Sequence, residues 1–182
     1  MTDNFVHSPR TGGFSLQFVL QDKVRQLRLY DRLENRMSNI VKKVYFDYPA
    51  ETSQDAIEFL SDKAVKLGIA DDRDAVLKAF EEREALGPTG MTRGFALPHA
   101  KTNAVKEPAV VVVKFSDKVE WKALGTTPIR AAIAIYVPED QAAQHLAVLA
   151  KIATLLMQPD FCEGVMESTE AEEIIAAIEA GL

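Results

Sequence analysis

The chain is poor in the residues that usually advertise chemistry. Its 182 residues include one cysteine, Cys162. An intrachain disulfide is therefore impossible, and a zinc site built from several thiolates is excluded. That usage fits a reducing compartment. No run reaches the roughly 18 consecutive apolar residues of a membrane-spanning helix. The opening MTDNFVHSPRTGGF also lacks the basic start and apolar core of a secretory signal. The expectation is a cytoplasmic protein without direct membrane insertion. Neither GxxxxGKS/T nor GxGxxG occurs, which removes the usual backbone cradle for ATP or a dinucleotide. Histidine is scarce as well: His7, His99 and His145 are the only three.

What is present describes a folded domain. Apolar residues make up 47% of the chain and charged residues 26%, enough for one core and a solvated surface. The formal net charge of −6 argues against a nucleic-acid binder, which needs a clustered basic face. It is compatible with docking onto a basic protein patch.

Residues 1–14 are polar and carry Pro9, Gly12 and Gly13, the composition of a loose tail. From Ser15 to about Arg36, Leu16, Val19, Leu20, Val24, Leu27, Tyr30 and Leu33 recur at helical spacing. This amphipathic helix either packs on the main domain, packs on a second subunit, or serves as a docking helix. Met37 stands as an alternative start. The expected organisation is an extension over residues 1–38 and a domain over 39–182.

Within the domain, Val41, Val44 and Phe46, with Tyr45 and Tyr48, predict a strand ending at Pro49. Thr52 and Asp55 suit a capping box for a helix with Ala56, Ile57, Leu60, Ala64 and Leu67 inward, stopping at Gly68. Asp71 or Asp72 caps the next helix, whose Val76, Leu77 and Phe80 point inward and which runs out at Gly87-Pro88. Phe95-Ala96-Leu97 reads as a short strand closed by Pro98. Ala109–Phe115 and Ile129–Val137 read as buried strands, with Val119-Glu120-Trp121 as a small hairpin or edge piece between them. Gln141–Met157 predicts a long helix with Leu146, Leu149, Ile152, Ala153, Leu156 and Met157 as its apolar face. Thr169 and Glu172 suit a capping box for a last helix ending at Gly181. Strands and helices mixed along one chain predict a three-layer α/β sandwich, helices covering a mixed sheet.

The candidate chemistry is spread thinly over this frame. His7 lies in the tail without company and is assigned no role. His99 follows Pro98 at a strand end, where reactive groups are common. His145 falls in the first turns of the long helix. Taken singly, each histidine reads as readily as an ordinary polar residue. Two histidines also suit a metal site, but no third ligand stands at a telling spacing. Glu139-Asp140 before the helix are normal dipole complements, so no metal is expected. Cys162 reads as a small packed residue between helices. Arg83 sits among Glu81, Glu82 and Glu84, the pattern of a solvated helix face. Gly87-Pro88-Thr89-Gly90 is turn chemistry.

Read as blocks, these residues say more. Arg83-Glu84-Ala85-Leu86-Gly87-Pro88-Thr89-Gly90, followed by Gly94-Phe95-Ala96-Leu97-Pro98-His99-Ala100-Lys101-Thr102, resembles the active segment of enzyme IIA domains of the fructose–mannitol family. These belong to the bacterial phosphoenolpyruvate-dependent sugar phosphotransferase system. A second block agrees: Val137-Pro138-Glu139, His145-Leu146, Leu149-Ala150-Lys151-Ile152, Leu155-Leu156-Met157 and Asp160-Phe161. The resemblance covers about residues 39–180. Its specificity lies in order and spacing, with Arg83 sixteen residues before His99 and His145 forty-six after it.

The resemblance implies a mixed, about five-stranded sheet flanked by helices on both sides. It implies that His99 accepts a phosphoryl group from phospho-HPr and passes it to a cysteine of a IIB partner. His145 matches the second active-site histidine, and Arg83 the arginine that stabilises the phosphoryl group. No cofactor is implied. Elementary chemistry agrees: a neutral imidazole is a competent nucleophile near pH 7, its reference pKa being about 6.5. A guanidinium stays charged and pairs with phosphoryl oxygens. Thr89 offers a hydroxyl donor to the same group.

The family's usual Gly-x-Gly before the histidine segment is replaced by Thr92-Arg93-Gly94. Arg93 there adds local positive field or a docking contact, or is simply solvated. Pro98–Thr102, with Val105-Lys106 and Pro108, stands closer to fructose-type than to mannitol-type members. Three readings follow: a phosphocarrier in sugar uptake; a regulatory, nitrogen-type IIA-like protein acting through phosphorylation-dependent binding; and an acid–base enzyme on a small phosphate ester. The last lacks any pocket signal. A homo-oligomer through the N-terminal helix is a further possibility.

Overall fold

The computed structural model describes residues 40–182, the side chains of residues 142–145 excepted. The tail with His7, the helix expected over 15–36, and its oligomer surface lie outside the described residues. The elements are β1 (Val41–Tyr48), α1 (Ser53–Lys66), α2 (Arg73–Ala85), β2 (Phe95–Ala96), β3 (His99–Lys101), β4 (Ala109–Val119), β5 (Ile129–Val137), α3 (Ala142–Leu156), α4 (Pro159–Glu167) and α5 (Ala171–Glu179).

The β-branched runs make the sheet. β4 and β5 pair antiparallel at its centre, with Val112 opposite Ile133. β1 adds in parallel along β4, and β2 and β3 both lie parallel along the other side of β5. Alternation along each strand separates two cores. Val111, Val113, Ala132, Ala134 and Tyr136 pack with Leu60, Val76 and Phe80 of α1 and α2. Val110, Val112, Ala131, Ile133 and Ile135 pack with Val148, Ile152, Val165 and Ile174 of the three C-terminal helices. The three-layer sandwich with a mixed five-stranded sheet is therefore the observed architecture. From Ala131 to Val137 both faces of β5 are buried, which explains the unbroken apolar reading of that stretch. Tyr136 is fully buried, and its hydroxyl donates to the Leu60 carbonyl at 3.0 Å, satisfying the one polar atom it brings inside.

Several local expectations hold in detail. Thr52 and Asp55 form the capping box of α1, and Asp72 caps α2 through the backbone N–H groups of Asp74 and Ala75. Others do not. Leu67 is exposed, because α1 ends at Lys66 and the chain turns to bury Ile69 instead. Of the expected face of α3, Ile152 and Leu156 are buried and Leu149 and Ala153 pack beside them, but Leu146 and Met157 face solvent, and Val148 and Leu155 are buried instead. That helix is apolar nearly all round, so the sequence offered more than one candidate stripe. Cys162 lies within α4, a helix opened by Pro159 at a position where its missing N–H costs nothing. The Thr169–Glu172 capping box does not form: α5 starts from Glu170, and the Ser168 hydroxyl reaches Glu173 at 2.8 Å. The helix gives out after Glu179, short of Gly181.

One charge is taken into this frame. Lys114 of β4 sends its ammonium to the carbonyls of Met166 and Ser168 at 2.6 and 2.7 Å, at the C-terminal end of α4. Burial holds its pKa below the ordinary lysine value, opposed by the nearby Asp47. Replacing Lys114 by Met keeps the stem but strips the donor from two carbonyls. We expect Lys114→Met to lose about 1–3 kcal/mol in urea denaturation. An unchanged midpoint would show that water serves those carbonyls as well.

Candidate functional site

The site begins at an interruption. β2 aligns Ala96 with Ala132, and β3 aligns His99 with Ile135, so both strands advance by three residues and register is kept across Leu97-Pro98. Pro98 cannot donate to a ladder, but its carbonyl still accepts from Ile135 N–H at 3.0 Å. The sequence places His99 at the end of a strand closed by Pro98; in the structure it opens the next one. Its register with Ile135 assigns it to the sheet face covered by α3.

Leu97 has main-chain groups that do not go to β5. Its N–H donates to the Thr89 carbonyl at 2.9 Å, and its carbonyl lies 3.1 Å from His99 Nδ1. On the other side of the ring, Arg83 Nε donates to His99 Nε2 at 2.8 Å. The guanidinium always carries its protons, so Nε2 must accept. The Nδ1 nitrogen therefore holds the ring proton and donates it to the Leu97 carbonyl. This fixes the tautomer by hydrogen-bond logic and makes Nε2 the nitrogen with the lone pair.

Arg83 is placed by the end of its own helix. It lies in the last turn of α2, where the C-cap Leu86 N–H bonds back to the Arg83 carbonyl. Its Nη1 donates to the Gly87 carbonyl at 3.0 Å. A cation in the last turn also complements the helix dipole. The surrounding glutamates read as a solvated face, yet Arg83 is half-buried and turned to His99. The turn after it needs its glycines. Gly87 has φ 151°, and a Cβ on Gly90 would stand 2.5 Å from the Lys122 carbonyl, which its own N–H bonds.

Thr89 sits where the sequence suggests a phosphoryl donor, but its contacts are of another kind. It is only 3% exposed. Its hydroxyl donates to the Glu84 carboxylate and accepts from Trp121 Nε1 at 3.2 Å. A hydroxyl has one proton, and here that proton is directed at Glu84. Trp121 and Glu84 were not among the residues singled out for chemistry. Only their polar tips bear on the site, and nothing in sequence spacing links position 121 to position 89.

The remaining candidates fall as follows. His145 belongs to the first turn of α3, and its imidazole lies outside the described side chains. Arg93 is exposed and adopts φ 61°, a left-handed value uncommon for a side chain of that size. Cys162 is buried, and its thiol donates to the Leu156 carbonyl at 3.3 Å. Burial pushes the thiol pKa up against the opposing charge of Arg93, the reverse of what a thiolate nucleophile needs. Among the described residues, no group of three His, Cys, Asp or Glu is placed to hold a metal ion. No helix among them is long and apolar enough to cross a membrane.

The site joins an edge-strand imidazole, held by a main-chain carbonyl, to the guanidinium at a helix end, within an α/β domain. The chain belongs to the family described as phosphoenolpyruvate-dependent sugar phosphotransferase system, EIIA 2, whose model matches residues 40–181. It is 35% identical over 131 residues to the PTS system fructose-specific EIIA component of Haloferax volcanii, covering 72% of this chain and 85% of that protein. It is 28% identical over 128 residues to the PTS system 2-O-alpha-mannosyl-D-glycerate-specific EIIABC component of Escherichia coli, covering 69% of this chain but only 20% of that longer protein. Among solved structures, the nitrogen regulatory protein IIA-Ntr of Neisseria meningitidis superposes with a TM-score of 0.70 at 25% identity, over 76% of this chain and 96% of that one.

The tautomer is directly measurable. In alkaline buffer, long-range nitrogen–proton correlation spectra of the His99 ring are expected to show a protonated Nδ1 and an unprotonated Nε2. The opposite pattern would break the pairing with Arg83 described above.

Proposed function

We propose that His99 is a phosphoryl carrier: its Nε2 takes a phosphoryl group from phospho-HPr and yields it to a cysteine of a IIB partner in fructose-type sugar uptake. The observation that carries this is the 2.8 Å contact of Arg83 Nε with His99 Nε2. It puts a permanent cation at the nitrogen where the phosphorus would bond. The lone pair on Nε2 attacks phosphorus, the P–N bond to the donor imidazole breaks, and that imidazole leaves with its electron pair. Positive charge then develops on the His99 ring, and the Leu97 carbonyl, already hydrogen-bonded to Nδ1, stabilises it. Arg83 must leave the lone pair and pair instead with phosphoryl oxygens. Its second anchor, Nη1 on the Gly87 carbonyl, keeps it within reach. Phosphoryl transfer asks for this kind of positioning and charge stabilisation more than for acid–base chemistry. His145, in the helix over the same sheet face, is the second active-site histidine of this reading.

The rim suits a protein partner. Leu86, Leu124 and Leu146 are 86%, 70% and 64% exposed. They stand on the cap of the Arg83 helix, in the segment between β4 and β5 where the Leu124 N–H donates to the Gly90 carbonyl, and beside His145 in sequence. Apolar side chains exposed around a reactive group are the usual core of a transient interface. The carrier unit of this reading is the domain over residues 39–182, with residues 1–38 as an extension outside the 40–181 family match.

A regulatory role is the second reading, favoured by the likeness to IIA-Ntr. Both uses need the same phosphorylated histidine and differ in what receives or senses it.

Incubation with labelled phosphoenolpyruvate, enzyme I and HPr is expected to put acid-labile phosphate on the protein. His99→Ala should remove it, and Arg83→Ala should slow it about 10²–10³-fold with melting unchanged. An unlabelled wild type would sink the carrier reading. Onward transfer to a IIB cysteine separates uptake from regulation alone. Leu86→Asp is expected to raise the half-saturating HPr concentration several-fold while leaving the rate at saturation intact; a wild-type half-saturation value would remove Leu86 from the interface.

A further inference from the structure

We propose that Trp121 and Glu84 are positioning residues that act through Thr89 to hold the two arms of the site at a fixed separation. This rests on the phosphoryl-carrier reading and adds to it residues that never touch phosphorus. The direction of the relay is forced by chemistry. An indole N–H only donates and an ionised carboxylate only accepts. The proton order is therefore Trp121 Nε1–H to Thr89 Oγ1, and Thr89 Oγ1–H to Glu84 Oε1.

Thr89 grips both arms at once. Its hydroxyl holds Glu84, the residue after Arg83 in the last turn of α2. Its main-chain carbonyl holds Leu97 N–H at 2.9 Å, and the Leu97 carbonyl in turn receives Nδ1 of His99. One buried residue thus ties the helix end that presents the guanidinium to the edge that presents the imidazole. Among the described residues, Thr89 and Ser61 are the buried polar side chains of the domain. Ser61 bonds within its own helix, to the Ile57 carbonyl. Thr89 instead joins different elements. Trp121 fixes the node from behind: it is buried, it follows β4, and the adjoining Lys122 carbonyl also accepts from Gly90 N–H at 3.1 Å. A displacement of the guanidinium by about 1 Å is enough to cost a large factor in a transfer that depends on placement.

The test uses three variants of the full chain, each first checked for cooperative melting. Thr89→Val keeps the shape and loses the hydroxyl, Thr89→Ser keeps the hydroxyl, and Trp121→Phe keeps most of the ring and loses the N–H. Two quantities are read: phosphorylation by phospho-HPr, split into rate at saturation and half-saturating concentration, and the proton resonance of Arg83 Nε–H with its exchange rate. We expect Thr89→Val to lower the saturating rate roughly tenfold with half-saturation unmoved, and to speed exchange of the Arg83 Nε–H. Trp121→Phe should do the same to a smaller degree, and Thr89→Ser should restore both readings to within about threefold. Equal losses in Thr89→Ser and Thr89→Val would mean that packing, not the relay, matters, and would overturn the proposal. So would wild-type rate and exchange in Thr89→Val. Should Thr89→Val fail to fold, Trp121→Phe decides alone: unchanged rate and exchange overturn the relay. The exchange reading also separates the two claims. A wild type that takes no phosphate, with Arg83 exchange still governed by Thr89, defeats the carrier reading and leaves the relay standing.

Discussion

The hydrogen bond from Arg83 Nε to His99 Nε2 makes demands on the rest of the chain that explain much of its local design. The two residues come from different elements, a helix end and an edge strand. Neither element can move without breaking a contact that also sets the ring's tautomer. The helix must therefore end where it does, with Gly87 turning its carbonyl back to the guanidinium. The strand must present His99 beyond Pro98 with its register intact. The turn between them must come close enough to Lys122 that Gly90 has no room for a side chain.

The outer side of the edge strand is the second constraint, and it serves the first. An edge strand turns the main-chain groups of every second residue away from its sheet, and Leu97 is such a residue. Its N–H and carbonyl become the links to Thr89 and to Nδ1, while the Pro98 carbonyl keeps register with β5 across the interruption. The fold supplies rigidity under this break. β5 is buried on both faces from Ala131 onward and bonded on both sides, so the edge lies against an interior strand. His99 stands half-buried at the margin of the core rather than inside it.

How much of this was legible varied with the kind of signal. Ile129–Val137 appeared at its observed bounds because burial on both faces leaves an apolar pattern. The strand expected over Ala109–Phe115 runs on to Val119 through the exposed Ser116, Asp117 and Lys118, whose polarity hid its continuation. The capping box at Thr52–Asp55 was legible because both partners are near in sequence. The apolar face of α3 was legible in part: Leu149, Ile152, Ala153 and Leu156 pack on the core, but Leu146 and Met157 do not, since a helix this apolar has no unique stripe. α4 was missed because nine residues beginning with Pro159 look like a connector until neighbours bury Cys162 and Val165. At the candidate site, Arg83 and His99 stand out through their spacing in a recognisable block, and the structure brings them into contact. Trp121 and Glu84 do not stand out, because their roles run through a hydroxyl that joins positions 32 and 5 residues away.

The sequence by itself determined the class of fold, the family, and the identity of the nitrogen-bearing residue, because these rest on local periodicity and on motif order along the chain. Tertiary structure alone decided which ring nitrogen of His99 keeps its lone pair, since that follows from partners arriving from separate elements. It also decided that the Arg83 side chain leaves a run of glutamates to meet an imidazole. Finally, it turned Thr89 from a nearby hydroxyl into a buried node between the two arms. Hydrogen bonds are directional and short-ranged, so their partners are chosen by the packing of distant segments, which no linear pattern records.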